Sequence, residues 1–335
     1  MRCQLLAWFA EHCRVLPWRE KPTPYPVLVS EIMAQQTRIA QLLPFYVRFM
    51  ERFPTLEALA RADEADVLAV WAGMGYYARA RNLHRTAQLL CEMPDWPTTR
   101  AAWEALPGIG AYTAGAVLSI AFGQKAAAID GNVLRVYSRL ACDATDIATP
   151  IAKKNAEAYV LAHMPDAPEE VRAFSQALME LGALVCTPTN PRCGECPLAE
   201  VCEARKVGRV QELPVKAKKK ASPIVPITVL LFFSPDGKVM MRRRDAGLLR
   251  GMMVYWLVEG EQLVADAVAG YVGERGFTVR GMEALGDFSH TFTHRVWQMT
   301  GYAVQVGKCA ALDGYEWLTP DEVAARGLPA AMRYF

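Results

Sequence analysis

The stretch Leu106-Pro107-Gly108-Ile109-Gly110 joins two segments with a helical apolar pattern, one ending near Ala105 and the other beginning near Tyr112. Its glycines, Gly108 and Gly110, let the backbone turn tightly and expose successive amide N–H groups at the start of the second helix. Such amides attract a phosphate oxygen. The stretch therefore predicts a hairpin between helices with an anion-binding turn, although a Gly-x-Gly turn alone is common between helices.

The chain around this hairpin has a helical pattern from Arg2 to about Arg205. Apolar residues recur at steps of three and four, and Pro or Gly separates the runs. These runs are Ala40–Phe53, Ala65–Trp71, Asn82–Cys91, Thr113–Phe122 and Ala152–Met164. Because strand patterns are few here, we predict one all-α domain over residues 1–205.

The character of the sequence changes after residue 205. Residues 206–225 combine a lysine run with several prolines and lack an apolar face, which predicts a solvated basic linker. The segment is either a linker alone or a linker that also contacts nucleic-acid phosphates, and the sequence leaves both open. Residues 226–335 then favour an α+β domain. Its predicted elements are strands at Ile227–Phe233, Lys238–Arg242 and Thr291–Val306 and a helix at Gln262–Tyr271.

The bulk composition is that of an ordinary globular protein. Of the 335 residues, 52% are hydrophobic and 21% are charged, which leaves room for two or three domains with a buried core. No apolar run reaches the roughly 18 residues of a membrane helix. No cleavage site follows the interrupted apolar start, so we expect a cytoplasmic protein. The net charge of +2 argues only weakly for a nucleic-acid partner, because basic residues must cluster to bind phosphates.

Nine cysteines in a chain without an export signal argue against a disulfide scaffold. Cys186, Cys193, Cys196 and Cys202 follow the pattern C-x6-C-x2-C-x5-C in one short, Pro-rich loop. Four thiolates this close can hold a [4Fe–4S] cluster or a tetrahedral zinc ion, and the spacing alone favours neither strongly. The remaining cysteines have no such spacing and are expected to be core or surface thiols.

Two acidic residues are candidates for catalysis. Asp130 precedes a further helix, where it is either an N-cap or a carboxylate at the mouth of a cleft. Glu31 lies among apolar neighbours in the stretch Ser30–Thr37, which we place on a helix begun by Pro24-Tyr25-Pro26. Partial burial would raise the pKa of Glu31 and let it hold a proton near neutrality.

The hairpin, the aspartate and the cysteine loop occur here in the order of the helix–hairpin–helix DNA glycosylases, and the chain resembles the MutY family of adenine DNA glycosylases. The resemblance is close from about Leu5 to Arg205 and looser from Ile227 to Phe335. It implies a glycosylase domain whose loop at 186–202 holds a [4Fe–4S] cluster, followed by a Nudix-like domain. It also implies hydrolysis of the N-glycosidic bond of adenine mispaired with 8-oxoguanine or guanine in duplex DNA, by a monomer associated with the nucleoid and not with a membrane.

The resemblance assigns roles at the reacting centre. Glu31 would protonate the adenine and Asp130 would stabilise the cation left on the sugar, while Tyr112 and Asn132 would position Asp130 and the attacking water. In the endonuclease III branch, a lysine at the position of Tyr112 attacks the sugar. A tyrosine there implies base release without strand cleavage.

Further segments that resemble the MutY family imply which residues would lie around an extruded adenine. The residues beside the flipped base would be Arg14, Leu16, Trp18, Arg19 and Gln176. Gln36 and Tyr76 match residues that wedge into the base stack, and Thr37 lies beside them. A core role for Trp18 and an exposed helix position for Gln176 remain alternatives.

In the second domain, Phe292-Thr293-His294 looks like the family loop that contacts 8-oxoguanine, with Thr293 in place of the usual serine. The residues around Leu249 and Tyr255-Trp256 depart further from the family pattern. The stretch Ala267–Gly276 offers only Glu274 where a Nudix hydrolase carries several metal-binding glutamates, which favours recognition over pyrophosphate hydrolysis. A strand or loop role without a ligand stays open for His290 and His294.

Two other functions are alternatives. An endonuclease III-like enzyme would remove oxidised pyrimidines, but Tyr112 and the second domain argue against it. A non-catalytic binder of damaged DNA would not need the pair of Glu31 and Asp130.

Overall fold

The computed structural model describes residues 1–217, 222–292, 294–308, 312–326 and 328–335. The chain forms two compact units that divide between residues 218 and 219. No helix in the described ranges is both long and apolar enough to cross a bilayer.

The first unit is helical, as predicted. Its α-helices are α1 (Arg2–His12), α2 (Pro17–Glu20), α3 (Pro24–Ala34), α4 (Ile39–Arg52), α5 (Leu56–Ala60), α6 (Glu64–Trp71), α7 (Ala78–Glu92), α8 (Arg100–Glu104), α9 (Ala111–Ala116), α10 (Gly131–Leu140), α11 (Pro150–His163), α12 (Pro168–Leu184) and α13 (Glu203–Lys206). Helix α9 continues as a π-helical turn, Val117–Ala121.

Helix α3 is buried on nearly every side. Proline at the start of the helix supplies a preset φ without losing an intrahelical hydrogen bond. Leu28, Ile32 and Met33 are each at most 1% exposed, because apolar residues surround the helix instead of forming a single stripe. Glu31 is therefore carried into the interior by its neighbours.

The hairpin between α8 and α9 is seated on α7. Gly108 adopts a φ of 74°, and a Cβ added there would lie 2.8 Å from the Cβ of Asn82. The Oγ1 hydroxyl of Thr86 donates to the carbonyl of Pro107 at 3.0 Å. Glycine is needed at position 108 both for the left-handed backbone and for this close approach.

Two hydrophobic clusters meet beside α9. One contains the buried residues of α3 and α9, and the other contains those of α10 and α12. Met179 packs against both clusters. The Sδ of Met179 lies 3.8 Å from the Tyr112 hydroxyl, so Tyr112 stands at the junction of the two.

Several boundaries differ from the sequence prediction. Helix α3 ends at Ala34, so residues 35–37 form a turn and are not helical as we expected for Ser30–Thr37. Helix α7 begins at Ala78, four residues before the predicted Asn82. Residues 207–215, which we expected in a solvated linker, pack against the helical unit. There Arg139 donates to the carbonyls of residues 210 and 213, and Ile147 N–H donates to the carbonyl of residue 215.

The second unit is α+β and contains a seven-stranded sheet within its described residues. Its strands are β1 (Ile224–Phe233), β2 (Val239–Arg243), β3 (Met253–Val254), β4 (Trp256–Glu259), β5 (Val279–Thr291), β6 (Val296–Val306) and β7 (Tyr315–Leu318). The strand order is β3-β2-β1-β6-β5, while β4 pairs with β1 and β7 pairs with β2. Strands β1 and β6 are parallel, and the other pairs are antiparallel.

Strand β1 is covered on both faces of the sheet. Ile227 and Val229 belong to one hydrophobic cluster, and Leu230 and Phe232 belong to another. Helices α14 (Ala265–Gly273) and α15 (Pro320–Arg326) accompany the sheet. A continuous apolar run is expected for such a central strand.

The sequence prediction missed strand β5. We had expected a single strand from Thr291 to Val306, but Thr291 ends β5, and β6 begins only at Val296. Strand β5 alternates small and polar residues with few β-branched ones, which weakens its pattern. Its pairing with β6 along nearly its whole length supplies the missing stabilisation.

Candidate active site

Helices α3 and α9 bring Glu31 and Tyr112 together. The Tyr112 hydroxyl donates a hydrogen bond of 2.6 Å to Oε2 of Glu31. Only 8% of Glu31 is exposed. The carboxyl group is therefore an interior group with a defined neutral donor.

Burial raises the pKa of Glu31 to about 7, and the negative charge of Asp130 adds to the rise. The hydrogen bond from Tyr112 and the positive charge of Arg19 act in the opposite direction. The charge of Asp130 therefore acts on the carboxyl of Glu31. A carboxyl with this pKa can hold a proton near neutral pH, as the sequence suggested.

Asp130 is the N-cap of α10 as well as a candidate catalytic group. Its Oδ1 accepts from the backbone N–H of Val133 at 2.7 Å. Its Oδ2 accepts from Nδ2 of Asn132 at 2.8 Å. Burial raises the pKa of Asp130 above its ordinary value even though these hydrogen bonds act to lower it. The structural and the functional interpretations of Asp130 thus apply together.

Tyr112 differs from the expected arrangement. We predicted that Tyr112 positions Asp130, but its hydroxyl bonds to Glu31. Burial and the negative charges of Glu31 and Asp130 raise the pKa of Tyr112 well above its usual value. Tyr112 therefore stays a neutral hydroxyl donor, and Asn132 is the side chain that holds Asp130.

A buried carboxylate that the sequence analysis missed lies beside this group. Glu180 on α12 is 1% exposed. It accepts from Nε of Arg14 at 2.8 Å, from Nη2 of Arg14 at 2.7 Å and from Nη2 of Arg19 at 2.8 Å. Although burial alone would raise the pKa of Glu180, the bonds from both arginines outweigh it and lower the pKa to about 2. Glu180 therefore stays ionised and holds the two arginines predicted for the adenine pocket.

The other residues predicted for that pocket are placed as follows. Leu16 and Trp18 are buried, at 5% and 8% exposure. The Trp18 ring packs edge-on against Tyr46, with ring centres 4.8 Å apart. The side-chain amide of Gln176 donates to the carbonyl of Arg172 in its own helix, at 3.2 Å.

The two predicted wedge residues lie in turns with left-handed backbones. Gln36 has a φ of 59° and Tyr76 a φ of 50°. Tyr76 is 55% exposed, which is unusual for so large an apolar ring. Thr37 follows Gln36 directly in the first of these turns.

The four predicted metal ligands, Cys186, Cys193, Cys196 and Cys202, line one cavity together with the guanidinium-bearing Arg139. Nη1 of Arg139 donates to Sγ of Cys186 at 3.3 Å and to the carbonyl of Thr187 at 2.8 Å. The donor set of four thiols in a single cavity fits an iron–sulfur cluster.

A chain of hydrogen bonds runs from this cavity to Asp130. Nε of Arg135 donates to the carbonyl of Cys186 at 2.7 Å, and its Nη2 donates to Oδ1 of Asn132 at 2.9 Å. Asn132 in turn donates to Asp130. A Cβ added to Gly182 would lie 2.6 Å from the Cβ of Asn132, so α12 packs directly against Asn132.

In the second unit, aromatic rings contact Phe292, one of the residues predicted to face the lesion. The Phe292 ring meets Trp297 edge-on at 4.9 Å and His290 at 4.7 Å. Burial lowers the pKa of His290. His294 is exposed, and Thr293 lies outside the described residues.

Three segments match known protein families in the order of the observed elements. Residues 29–160 match the HhH-GPD superfamily of base excision DNA repair proteins. Residues 186–202 match the iron–sulfur binding domain of endonuclease III, and residues 228–335 match the NUDIX domain. The match to the iron–sulfur binding domain assigns the cysteine cavity to a [4Fe–4S] cluster and not to zinc.

Curated relatives of this chain are adenine DNA glycosylases. That of Buchnera aphidicola subsp. Baizongia pistaciae is 30% identical over 87% of this chain and 82% of the relative. The human protein is 38% identical over 67% of this chain and 43% of its own length. The fission yeast protein is 41% identical over 61% of this chain and 48% of its own length. The chain thus spans less than half of the human and yeast relatives.

Solved structures agree on the fold of the helical unit. A thermostable thymine-DNA glycosylase is 26% identical with a TM-score of 0.54, covering 62% of this chain and 95% of that one. An endonuclease III–DNA complex, 24% identical with a TM-score of 0.50 over 62% of this chain and 94% of that one, shares the fold. Because the Buchnera relative is matched over most of its length and all three family segments occur in order, the chain belongs to the adenine DNA glycosylase family.

Proposed function

We propose that this chain removes adenine mispaired with 8-oxoguanine or guanine from duplex DNA by hydrolysing the N-glycosidic bond. The observation that carries the proposal is the buried carboxyl of Glu31, to which the Tyr112 hydroxyl donates at 2.6 Å and whose pKa burial and the charge of Asp130 raise to about 7. Two carboxyls with separated roles are what cleavage of a glycosidic bond requires. The DNA complexes of fold relatives support duplex DNA as the partner.

In the proposed reaction, protonated Glu31 acts first. Adenine is a poor leaving group until N7 carries a proton, and Glu31 supplies that proton from a site where burial has kept it bound. The electron pair of the breaking C1′–N9 bond goes to the base. The Tyr112 hydroxyl then stabilises the carboxylate that Glu31 becomes, because its hydrogen bond strengthens as charge develops.

Asp130 acts on the sugar. Departure of adenine leaves an oxocarbenium-like ring, and the Asp130 carboxylate stabilises its positive charge. The hydrogen bonds from Asn132 and Val133 fix both carboxylate oxygens before substrate arrives. Water then adds to C1′ and releases a proton, which restores the acid form of Glu31, and the product is an abasic site.

The backbone stays intact in this proposal. Cleavage of the strand after base loss would need an amine that forms a Schiff base with C1′. Tyr112 offers only a neutral hydroxyl, which its neighbours keep protonated. The enzyme is therefore monofunctional.

The cysteine loop contributes structure to the proposed function. Cys186, Cys193, Cys196 and Cys202 would hold the [4Fe–4S] cluster, which can exchange an electron and close a loop too small for its own core. The base-removal steps use only side chains of the helical unit.

The second unit would read the base opposite the adenine. The rings of Phe292 and His290 pack edge-on in it, and His294, two residues after Phe292, is exposed. We propose that Phe292, Thr293 and His294 contact 8-oxoguanine, which would make this unit a recognition module without hydrolase activity.

The test is a single-turnover assay of base release from an adenine:8-oxoguanine duplex, with and without alkali. Wild-type protein should yield an abasic site that breaks only in alkali. Glu31→Gln and Asp130→Asn should each lose most of the rate, whereas Asp63→Asn, at the exposed N-cap of α6, should not. Normal rates for both active-site variants would overturn the assigned roles.

The same preparation separates the alternatives. Release of thymine glycol without release of adenine would favour an endonuclease III-like enzyme. Tight binding of the mismatch with neither reaction would favour a non-catalytic damage binder.

A further inference from the structure

Arg79, near the start of α7, is a buried cation that pairs with no carboxylate among the residues that the structure describes. It is 9% exposed. Its guanidinium donates to the carbonyl of Met33 in the last turn of α3 at 2.9 Å, and in the turn after α3 to the carbonyl of Gln35 and to Oγ1 of Thr37 at 3.2 Å. On the other side, Nη2 donates to the carbonyl of Gly75 at 3.4 Å.

Aromatic rings complete the surroundings of this guanidinium. Its carbon lies 5.2 Å from the ring centre of Tyr76 and 5.6 Å from that of Trp71. Nε1 of Trp71 donates to the same Gly75 carbonyl at 3.1 Å. Carbonyl oxygens and ring faces both attract a cation, so Nη1 and Nη2 of Arg79 have partners without an acid, whereas its buried Nε has no hydrogen-bond partner among the described residues.

Each turn that Arg79 contacts contains a residue with a left-handed backbone. Gln36 is flanked by Gln35 and Thr37, both bonded to Arg79, and Tyr76 follows the bonded Gly75. A left-handed backbone is unfavourable for a residue with a side chain and persists only where the surroundings hold it. Arg79 supplies contacts to both turns from a single rigid group.

We propose that Arg79 is a positioning residue that locks the Gln36 turn and the Tyr76 turn together as one preformed, two-pronged wedge. The inference rests on the proposed function, in which these two residues enter the base stack. A planar guanidinium reaches both turns because its nitrogens diverge, whereas a lysine ammonium reaches one. The wedge is thus ordered before DNA arrives, which favours extrusion of the adenine.

The experiment compares two duplexes that differ in how firmly adenine is held. In one, adenine lies opposite 8-oxoguanine. In the other it lies opposite a tetrahydrofuran spacer, so that no base pair opposes extrusion. Wild type, Arg79→Met and Arg79→Lys are measured at single turnover. The matched control is Arg85→Met, on the exposed side of the same helix.

We expect Arg79→Met and Arg79→Lys to slow release from the paired duplex by about tenfold or more, since extrusion of a paired base carries a free-energy cost that the wedge offsets. Release from the spacer duplex should stay within about threefold of wild type, because that cost is smaller there. Arg85→Met should match wild type on both. A 2-aminopurine placed beside the adenine should brighten on binding of wild type and much less on binding of the Arg79 variants.

A milder variant guards against misfolding. Thr37→Val removes one acceptor of Arg79 and should shift the paired-duplex rate in the same direction by a smaller factor. Equal losses on both duplexes, or a full 2-aminopurine signal with Arg79→Met, would overturn the inference. If wild type releases adenine from neither duplex, the proposed function fails, and the 2-aminopurine signal then decides the inference by itself.

Discussion

The hydrogen bond from Tyr112 to Glu31 makes a quantitative prediction for Tyr112→Phe. A hydrogen bond to a charged group contributes about 1.5–3 kcal/mol, and one pKa unit corresponds to about 1.4 kcal/mol. The bond lowers the pKa of Glu31, which is about 7 with the bond in place. Its removal should therefore raise the pKa of Glu31 by about one to two units, to between about 8 and 9.

The assay is the single-turnover rate of adenine release between pH 5.5 and 9.5. The rate should fall where Glu31 loses its proton, near pH 7 in wild type, and the midpoint of this fall should move upward in Tyr112→Phe. Only the midpoint is compared, because the plateau also reflects stabilisation of the product carboxylate. Tyr137→Phe is the matched control, since Tyr137 donates to Asp143 at 2.5 Å in another part of the unit. A midpoint that stays in place or moves to lower pH in Tyr112→Phe would refute this account.

Three further predictions concern stability and geometry. Because the pKa of Glu31 is raised, its ionisation destabilises the fold as pH rises from about 4.5 to about 7. In urea titrations, Glu31→Gln should therefore increase the free energy of unfolding by up to about 3 kcal/mol at pH 8 and leave it unchanged at pH 4. Glu180 has a lowered pKa, so its stabilisation is present above about pH 4.5 and is lost towards about pH 2. Glu180→Gln should accordingly lower the free energy of unfolding by about 3 kcal/mol at pH 7. This difference between wild type and variant should become smaller as the pH is lowered. Gly182→Ala should displace Asn132 and slow adenine release by about 100-fold with little change in duplex affinity, whereas Gly273→Ala, where an added Cβ meets nothing within 4 Å, should leave the rate unchanged.

Much of the fold could be predicted from the sequence because the helices carry their own signals. Prolines at the first turn and three- and four-residue apolar steps marked α3, α4, α6 and α11 to within a few residues. Strand β5 escaped because its stability comes from pairing with β6 and not from its own residues. The turn at residues 35–37 could not be predicted because contacts distant in sequence hold it, chiefly those of Arg79 to Gln35 and Thr37.

The candidate site was predicted less completely. Motifs pointed to Glu31, Asp130 and the cysteines, but the partner of Tyr112 depends on how two helices pack. Glu180 was missed because a glutamate on a helix is usually solvated. The sequence does carry a signal of burial. Ala177 and Leu181, three residues before and one residue after Glu180, are apolar and lie on the buried face of α12. Apolar neighbours therefore mark Glu180 as buried in the same way as they mark Glu31.

The double role of Asp130 bears on how a substrate complex can be captured. Its Oδ1 caps α10 through Val133, and asparagine caps helices about as well as aspartate does. Asp130→Asn therefore removes the charge while the helix terminus keeps an oxygen acceptor, and the local backbone need not rearrange. Such a variant suits crystallography or imaging of the intact mismatch in the active site, because it removes the catalytic charge and keeps the N-cap of α10.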